Sequence, residues 1–293
     1  MTRPLKILSD FDGVWTDQAN EAAAVRRFAI DELARVCEVP SRRAEDDYDA
    51  FVRMMQARPH EHGWAPDGRI TAYIDEDPLC ESSSLARWLA VTDDPRGVRV
   101  RAAIVAAGFA TVHAFSEHLF HGGVALFRSE HPPWIVPGAR AMLDALHSRG
   151  AELVIVSNSS SEKLVDFFTS VGIDASEDGG HELRVRGSAG KWKLAGDASL
   201  VVGGRSIFVD RPAYRTLVAD EAPDLIIGDV FSLDLAMPHV MRTQRADGAP
   251  RLLALRRHAH TPAWILNDRA GGAIDVVVDQ VGDLADSIDG WRR

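Results

Sequence analysis

The sequence predicts an α/β protein whose core is a Rossmann-like, doubly wound parallel sheet, with an inserted α-helical domain and a small antiparallel β insertion. Three short apolar runs lead to this prediction, at residues 5–10, 153–157 and 225–229, and each ends in an oxygen-bearing side chain. Unbroken apolar runs are typical of strands buried on both faces, as in parallel sheets. Because ligands bind at the carboxyl ends of such strands, we expect the polar residues that end these runs to converge.

The length and composition fit a globular protein with a sizeable core. The chain has 293 residues, 46% of them apolar and 26% charged. One large domain with an insertion, or two domains, are compatible with this length. The formal net charge of −10 argues against a nucleic-acid-binding surface, which needs clustered Lys and Arg. We therefore expect no nucleic-acid partner.

The cysteines and the first residues bear on the compartment. Cys37 and Cys80 have neither disulfide nor metal-site spacing, which favours a reducing compartment. The chain runs straight into a predicted strand without the apolar segment of a signal peptide, and no apolar stretch reaches the length of a membrane span. We expect a cytoplasmic protein with no membrane partner, and the oligomeric state is left open.

Residues 18–131 have a different pattern from the rest of the chain. Apolar side chains recur here at helical spacing, Asp17 stands as a candidate N-cap, and turns rich in Pro, Gly and Asp separate the segments. Helices are predicted over 18–39, from about residue 41, over 85–91 and over 99–120. We therefore predict a helical domain over 18–131, inserted into a core made of residues 1–17 and 132–293.

From residue 137 the α/β alternation resumes. A helix over 139–146 is followed by Gly150 at its C-cap position. Apolar runs on either side of Gly203-Gly204 predict a β hairpin within the insertion over 194–209. The remaining predicted elements are strands over 153–156, 183–186, 225–227, 252–255 and 274–278, and helices from residue 161 and over 214–219.

The segment Asp10-Phe11-Asp12-Gly13 is the most specific of the chemical signals. Side chains alternate along a strand, so Asp10 and Asp12 point the same way. Two carboxylates this close repel each other, which raises one pKa unless a cation intervenes. One of them could act as nucleophile and the other as general acid and base. The alternative is a solvated turn at a strand end.

Three further segments place polar groups after strands. Ser157 and Asn158 lie between a strand and a helix, where free N–H groups bind anions, or where a serine simply caps the helix. Lys191 offers positive charge after the strand over 183–186, although lysines are also common on solvated surfaces. Asp229 and Asp234 follow a buried strand, and buried carboxylates are rare unless they are paired or bind a metal.

Several histidines also stand close together in the sequence. Their spacing would suit a transition metal, but no pair has a third ligand nearby, so we predict no metal site there. The pairs are His60 with His62, His118 with His121, and His258 with His260.

In this order the four segments resemble the haloacid dehalogenase (HAD) superfamily, whose members are mostly phosphohydrolases. That family's pattern is a strand ending in Asp-x-Asp-Gly, a strand ending in Ser or Thr, a Lys, and a strand ending in Gly-Asp followed by a further Asp. The resemblance covers residues 5–17 and about 135–285. It implies that residues 18–131 are the helical cap that one subgroup inserts at this point.

The resemblance implies a role for each matched residue. Asp10 matches the nucleophile and Asp12 the general acid and base. Ser157, with Asn158 beside it, matches the phosphate-binding position. The Lys of the family pattern is matched by Lys191.

The assignment of the phosphate-binding cation departs from the usual pattern. In the family a Lys-Pro pair often precedes the helix that leads to the last motif, whereas Arg211-Pro212 stands there in this chain. Lys191 follows a Gly-Ser-x-Gly run and is preferred for this role, with Lys193 and Arg211 as alternatives.

The resemblance also implies a metal site and an activity. Mg²⁺ would be held by Asp10, by Asp12 through its backbone carbonyl, and by Asp229, with Asp234 in support. The implied activity is Mg²⁺-dependent hydrolysis of a small phosphorylated metabolite through an aspartyl-phosphate intermediate. Alternatives are a phosphomutase or other transferase on the same core, or a non-catalytic regulatory or binding protein that kept the fold.

Overall fold

The structure is a computed structural model that describes residues 4–179 and 182–291. The chain divides into two compact units. One is the helical segment Gln18–Pro132, and the other combines Met1–Asp17 with Pro133–Arg293. The helical unit therefore interrupts the α/β unit directly after its first strand.

The strands and helices are numbered along the described residues. The strands are β1 (Leu5–Asp10), β2 (Gly63–Trp64), β3 (Ala72–Tyr73), β4 (Ala151–Val156), β5 (Ala175–Ser176), β6 (Leu183–Arg186), β7 (Ser199–Val202), β8 (Arg205–Phe208), β9 (Leu225–Gly228), β10 (Leu252–Arg256) and β11 (Val276–Val278). The helices are α1 (Gln18–Cys37), α2 (Ser41–Gln56), α3 (Cys80–Val91), α4 (Pro95–Ala106), α5 (Val112–Glu130), α6 (Ala139–Ser148), α7 (Ser161–Ser170), α8 (Pro212–Glu221), α9 (Ala236–Thr243), α10 (Ala263–Leu266), α11 (Asp268–Gly272) and α12 (Asp283–Trp291). Among the described helices, none combines the length and the apolar character that a bilayer crossing requires.

The α/β unit is built on a seven-stranded parallel sheet of order β11-β10-β9-β1-β4-β6-β5. β1 pairs with β4 on one side, where Asp10 lies opposite Val156, and with β9 on the other, where Ser9 lies opposite Ile227. The chain continues from β1 to strands on both of its sides, and this change of direction in the strand order creates a crevice at the carboxyl end of β1. The predicted buried parallel strands are confirmed.

Both faces of the sheet are covered, as the unbroken apolar runs predict. Helices α6, α7 and α12 pack on one face around Ile7, Leu153 and Ile227. The alternate residues Leu8 and Val154 are also buried, at 1% and 0% exposure. Because neither face meets water, the polar groups of the unit are left to the strand ends and loops.

The predicted β insertion is an antiparallel hairpin of β7 and β8. Gly203 and Gly204 form its turn with φ angles of 55° and 76°. Positive φ at both central residues matches the right-handed twist of a two-residue hairpin, which favours glycine.

The helical unit differs from the prediction in several details: α1 ends at Cys37, α3 begins at Cys80, and the short strands β2 and β3 pair between α2 and α3. The largest difference is a break within one predicted helix. The predicted helix over 99–120 is two helices, α4 and α5. Gly108 adopts a left-handed conformation (φ 92°), and the Thr111 hydroxyl accepts a hydrogen bond from the Ala114 N–H (3.0 Å), which starts α5. Both helices bury side chains in the same core, so their apolar spacing concealed the break.

Phe168 of α7 supports the turn that follows β1. Its ring is buried and meets Phe11 and Trp15 edge to face, with centroids 5.5 and 5.4 Å away. Phe168→Ala should lower the free energy of unfolding by about 3–5 kcal/mol, because it removes the ring and leaves a cavity. Urea denaturation measures this. Val201→Ala, at an exposed hairpin position, is the control and should cost less than about 0.5 kcal/mol; equal losses would contradict the packing.

Candidate active site

The carboxyl edge of the sheet collects the acids that the sequence singles out. Asp10 is the last residue of β1, and Asp229 directly follows β9. Asp234 lies in a π-helical turn, Phe231–Leu235, just beyond Asp229. Carboxylate oxygens of Asp10, Asp229 and Asp234 lie within 4.8 Å of one another. Residues from opposite ends of the sequence therefore form one acid cluster.

Two glycines allow these acids to lie so close to the backbone. Gly13 has a φ angle of 74°, and a Cβ atom placed there would lie 1.9 Å from Oδ2 of Asp229. A Cβ atom at Gly228 would lie 2.3 Å from the Cβ of Asp234. A larger residue at either position would displace a carboxylate, so the geometry of the site requires glycine at both.

Lys191 supplies the positive charge of the cluster. Its Nζ donates to Oδ1 of Asp10 (2.5 Å) and to Oδ1 of Asp234 (2.9 Å), and its side chain is only 2% exposed. The second oxygen of Asp234 accepts a hydrogen bond from the Val230 N–H (3.1 Å). The ammonium group therefore lies between two carboxylates in a place that excludes most water.

The charges of the cluster shift one another's pKa values. Burial raises the pKa of Asp10 well above its usual range, repulsion by Asp234 raises it further, and Lys191 opposes both. Burial acts to lower the pKa of Lys191, but attraction to Asp10 and Asp234 outweighs burial and raises it. Lys191 is therefore charged at neutral pH, and the ionised form of Asp10 depends on nearby positive charge.

The backbone of Lys191 is held on both sides. Its N–H donates to Oδ1 of Asn158 (2.9 Å), and its carbonyl accepts a hydrogen bond from the Arg211 guanidinium. Arg211 is 1% exposed and also donates to the Phe208 carbonyl (3.1 Å). Of the three candidate cations, Lys191 meets the acids, Arg211 braces the backbone of Lys191, and Lys193 is exposed.

Ser157 is fully buried where β4 ends. Its Oγ accepts a hydrogen bond from the Ser159 N–H (3.1 Å), and its carbonyl accepts one from the Ala189 N–H (3.0 Å) in the loop that carries Lys191. The N-cap of α7 is Ser160, whose hydroxyl accepts from the Lys163 N–H (3.4 Å). The helix-capping role that the sequence left open for Ser157 therefore belongs to Ser160.

Sequence reasoning missed a hydrogen-bonded brace behind Asp10. The indole N–H of Trp15 donates to the Ser9 hydroxyl (3.0 Å), which in turn donates to the Asp10 carbonyl (2.8 Å). Trp15 and Ser9 are both buried, at 0% and 1% exposure. A buried tryptophan usually finds a partner for its N–H, but the sequence pattern does not identify Ser9 as that partner.

The donor set of the acid cluster fits a hard divalent cation. Asp10, Asp229 and Asp234 offer carboxylate oxygens close together, and Mg²⁺ prefers oxygen ligands. A cation there would also offset the repulsion that raises the pKa of Asp10. Asp12 is half-buried in the turn after Asp10, and its carboxylate does not belong to this group of the described residues. Its contribution through the backbone carbonyl stays a prediction.

His258 also lies beside the cluster. Its spacing from His260 in the sequence did not predict this position. Its Nε2 is 3.5 Å from Oδ2 of Asp229. The histidine follows β10, which neighbours β9 in the sheet, so the parallel topology delivers it to the same edge. The signal available in the sequence was its position just after a predicted strand, not its spacing from another histidine.

No protein-family model matches the sequence, and no curated protein matches it significantly. Similar solved structures include a HAD phosphatase from Thermococcus onnurineus (12% identity, 98% of both chains covered, TM-score 0.46). Others are the HAD-hydrolase YfnB from Bacillus subtilis, bound to magnesium (15% identity, 98% of this chain and 100% of that chain, TM-score 0.45), and a 2-haloacid dehalogenase from Pseudomonas syringae (13% identity, 98% and 99%, TM-score 0.43). All three carry the name of the superfamily that the motifs resemble. With TM-scores below 0.5, none carries a conclusion about this chain, so function is inferred from its own residues.

The ionic cluster predicts an asymmetry between two neighbouring lysines. Lys191→Met leaves two buried carboxylates without their cation and should lower the free energy of unfolding by about 3–5 kcal/mol at neutral pH. The exposed Lys193→Met should change it by less than about 0.5 kcal/mol.

The pH dependence of the Lys191→Met loss follows from the carboxyls. Without Lys191 the folded-state pKa of Asp10 rises further above its unfolded value, so the variant regains stability as the pH falls and this carboxyl is protonated. Denaturation between pH 5 and 8 measures the difference from wild type, which should shrink toward acid. A pH-independent difference would contradict the proposed charge balance.

Proposed function

We propose that this protein is a Mg²⁺-dependent phosphohydrolase that acts on a small phosphorylated metabolite through an aspartyl-phosphate intermediate. The observation that carries the proposal is the cluster of Asp10, Asp229 and Asp234 around Lys191 at the carboxyl end of β1. It combines a carboxylate nucleophile, a buried cation and an oxygen-lined place for a metal at the crevice of a parallel sheet. The resemblance of the motifs to HAD phosphohydrolases agrees with this chemistry.

Asp10 is the proposed nucleophile. Its carboxylate attacks phosphorus, the bond to the ester oxygen breaks, and an acyl phosphate forms on Asp10. Lys191 lowers the pKa of Asp10 against the burial and repulsion that raise it, which favours the ionised form of the nucleophile. The Ser9–Trp15 brace holds the backbone from which the nucleophile extends.

Asp12 is the proposed general acid and base. It gives a proton to the leaving alkoxide and then takes one from the water that hydrolyses the acyl phosphate. Its place two residues beyond Asp10, in a turn that Gly13 tightens, supports a position near the same phosphoryl group. The half-buried setting leaves it access to water.

The phosphoryl oxygens are assigned to Lys191 and Ser157. The Ser157 hydroxyl accepts from the Ser159 N–H, so its own proton is available to an oxygen of the substrate. Asn158 acts indirectly, because its side-chain oxygen accepts a hydrogen bond from the Lys191 N–H. Arg211 is assigned the same supporting part through the Lys191 carbonyl.

Asp10, Asp229 and the Asp12 carbonyl are the proposed ligands of Mg²⁺, and Asp234 supports them. When bound, the ion offsets the repulsion between the anionic nucleophile and the anionic phosphate. Asp234 is placed for support because it accepts hydrogen bonds from both Lys191 and the Val230 N–H.

The helical unit Gln18–Pro132 is proposed to act as the cap that selects the ester. It is inserted directly after the turn that carries Asp10 and Asp12, and it has a hydrophobic core of its own. A separate unit can vary without disturbing the strands that hold the catalytic acids.

Asp10→Asn should abolish turnover of a phosphate-ester panel in the presence of Mg²⁺, with a loss in kcat of more than about a thousandfold. The amide keeps the shape of the side chain but removes the nucleophile. Release of inorganic phosphate measures the effect. Asp220→Asn, at an exposed position of α8, is the matched control and should retain wild-type turnover. Turnover in Asp10→Asn close to that of the control would remove Asp10 from its role.

Mg²⁺ should raise the melting temperature of the wild-type protein. At a hundred times its dissociation constant a ligand of the native state contributes about 2.7 kcal/mol. Asp229→Asn should lose most of this shift, because a hard cation loses one of its few carboxylates, whereas Asp220→Asn should keep it. Thermal denaturation with and without Mg²⁺ gives the readout. An equal shift in Asp229→Asn would exclude Asp229 as a ligand, and no shift in wild type would exclude the metal site.

A further inference from the structure

A buried tyrosine of α8 contacts the ion pair of Lys191 and Asp234. Tyr214 is the third residue of that helix and is 1% exposed. Its hydroxyl donates a hydrogen bond to the backbone carbonyl of Asp234 (2.9 Å), and its ring faces the ammonium group of Lys191. One side chain therefore meets both the cation of the cluster and one of its acids.

The ring of Tyr214 gives the Lys191 ammonium group a third neighbour. Nζ lies 5.6 Å from the ring centroid, within the distance at which an aromatic face attracts a cation. The other two neighbours are the carboxylates of Asp10 and Asp234. Cation–π attraction is strongest where water is excluded, and the Lys191 side chain is only 2% exposed. The ring therefore adds to the attraction that holds the ammonium group beside the two acids.

The hydroxyl of Tyr214 holds Asp234 through its backbone. Asp234 lies in the π-helical turn Phe231–Leu235, a geometry that proteins use rarely and often at functional sites. The Val230 N–H donates to the carboxylate of Asp234 (3.1 Å), and Tyr214 donates to its carbonyl. Burial raises the pKa of the Tyr214 phenol above its usual range, so the hydroxyl keeps its proton and remains a donor at neutral pH. Asp234 is thus fixed at both its side chain and its main chain.

Helix α8 contacts Lys191 at two points. Arg211, the N-cap residue of the helix, donates to the Lys191 carbonyl, and Tyr214 in the first turn faces the ammonium group. The first turn of one helix therefore holds both the backbone and the charged end of the lysine. This ties the position of the ammonium group to the position of the chain that carries it.

We propose that Tyr214 is a positioning residue of the hydrolysis, which keeps Lys191 and Asp234 in the arrangement that places the ammonium group beside the nucleophile Asp10. This inference rests on the proposed phosphohydrolase function and deepens it. Loss of the tyrosine should act mainly on kcat, since Ser157 still holds the phosphoryl group when the ammonium group is displaced.

Two variants separate the hydroxyl from the ring. Tyr214→Phe removes only the hydroxyl, so kcat for p-nitrophenyl phosphate should fall by about fivefold, the size of one neutral hydrogen bond. Tyr214→Leu removes the ring as well, and kcat should fall by about a hundredfold, because a desolvated cation–π contact is lost in addition. KM should change by less than about threefold in both variants.

Tyr48 is the matched control, because it makes the same two kinds of contact within the helical unit. It is 1% exposed, its hydroxyl donates to Oε2 of Glu81 (3.2 Å), and the Arg26 guanidinium lies 5.5 Å from its ring centroid. Tyr48→Phe and Tyr48→Leu should keep the wild-type kcat for the same ester even where they lower the melting temperature. A kcat of Tyr214→Leu close to that of Tyr48→Leu would overturn the inference.

The nuclear magnetic resonance signal of the Lys191 ammonium group reports the contact without activity. The chain has four lysines, so a hydrogen–nitrogen correlation spectrum of the ammonium groups is simple, and Lys191→Arg identifies the signal of Lys191. An aromatic ring shifts protons above its face upfield. Tyr214→Phe should therefore keep the upfield shift of this signal, and Tyr214→Leu should remove it. An unchanged signal in Tyr214→Leu would overturn the inference.

Failure of the proposed function has a different signature. A wild-type protein that hydrolyses no phosphate ester, with a Lys191 signal that still depends on the Tyr214 ring, would contradict the proposed function and support the placement of Lys191 by Tyr214. Wild-type turnover together with a signal that Tyr214→Leu does not change would leave the function standing and overturn the inference.

Discussion

The site depends on one buried cation. Lys191 is 2% exposed, and its ammonium group lies between the carboxylates of Asp10 and Asp234. Buried charges are costly unless they are paired and fully hydrogen-bonded, and removing one partner leaves the others unbalanced. The surrounding structure therefore has to hold Lys191 in place. The Asn158 side chain accepts a hydrogen bond from the Lys191 N–H and Arg211 donates to the Lys191 carbonyl, and these contacts hold the backbone from which the ammonium reaches both acids.

A second buried cation, Arg211, contributes to holding Lys191 in place. The β7–β8 hairpin lies between Lys191 and α8 along the chain. Arg211 stands at the start of α8 and reaches back to the Lys191 carbonyl. A guanidinium has several donors in a fixed fork and suits this bridge between backbone carbonyls better than an ammonium.

The strand order brings these local contacts together at one edge of the sheet. Because β1 lies between β4 and β9, its carboxyl end is flanked by the turns that carry Ser157 and Asp229. Because Gly13 and Gly228 have no side chains, Asp229 and Asp234 can lie close to the backbone there. The next strand, β10, adds Arg256 and His258 to the same edge. One edge of a parallel sheet can therefore bring together acids, a lysine and a histidine that are far apart in sequence.

The sequence by itself determined the strands, their parallel arrangement and the acids at their ends, because buried strands and the residues that follow them leave a local pattern in Asp10, Asp229 and their neighbours. It also indicated the inserted helices and the Gly203-Gly204 hairpin, whose signals are equally local. Only the tertiary structure decided which cation meets Asp10, that Arg211 serves Lys191, that Trp15 braces Ser9 and that His258 reaches Asp229. These contacts join residues whose separation along the chain carries no periodic signal, and they arise only when strand order and loop paths bring them together.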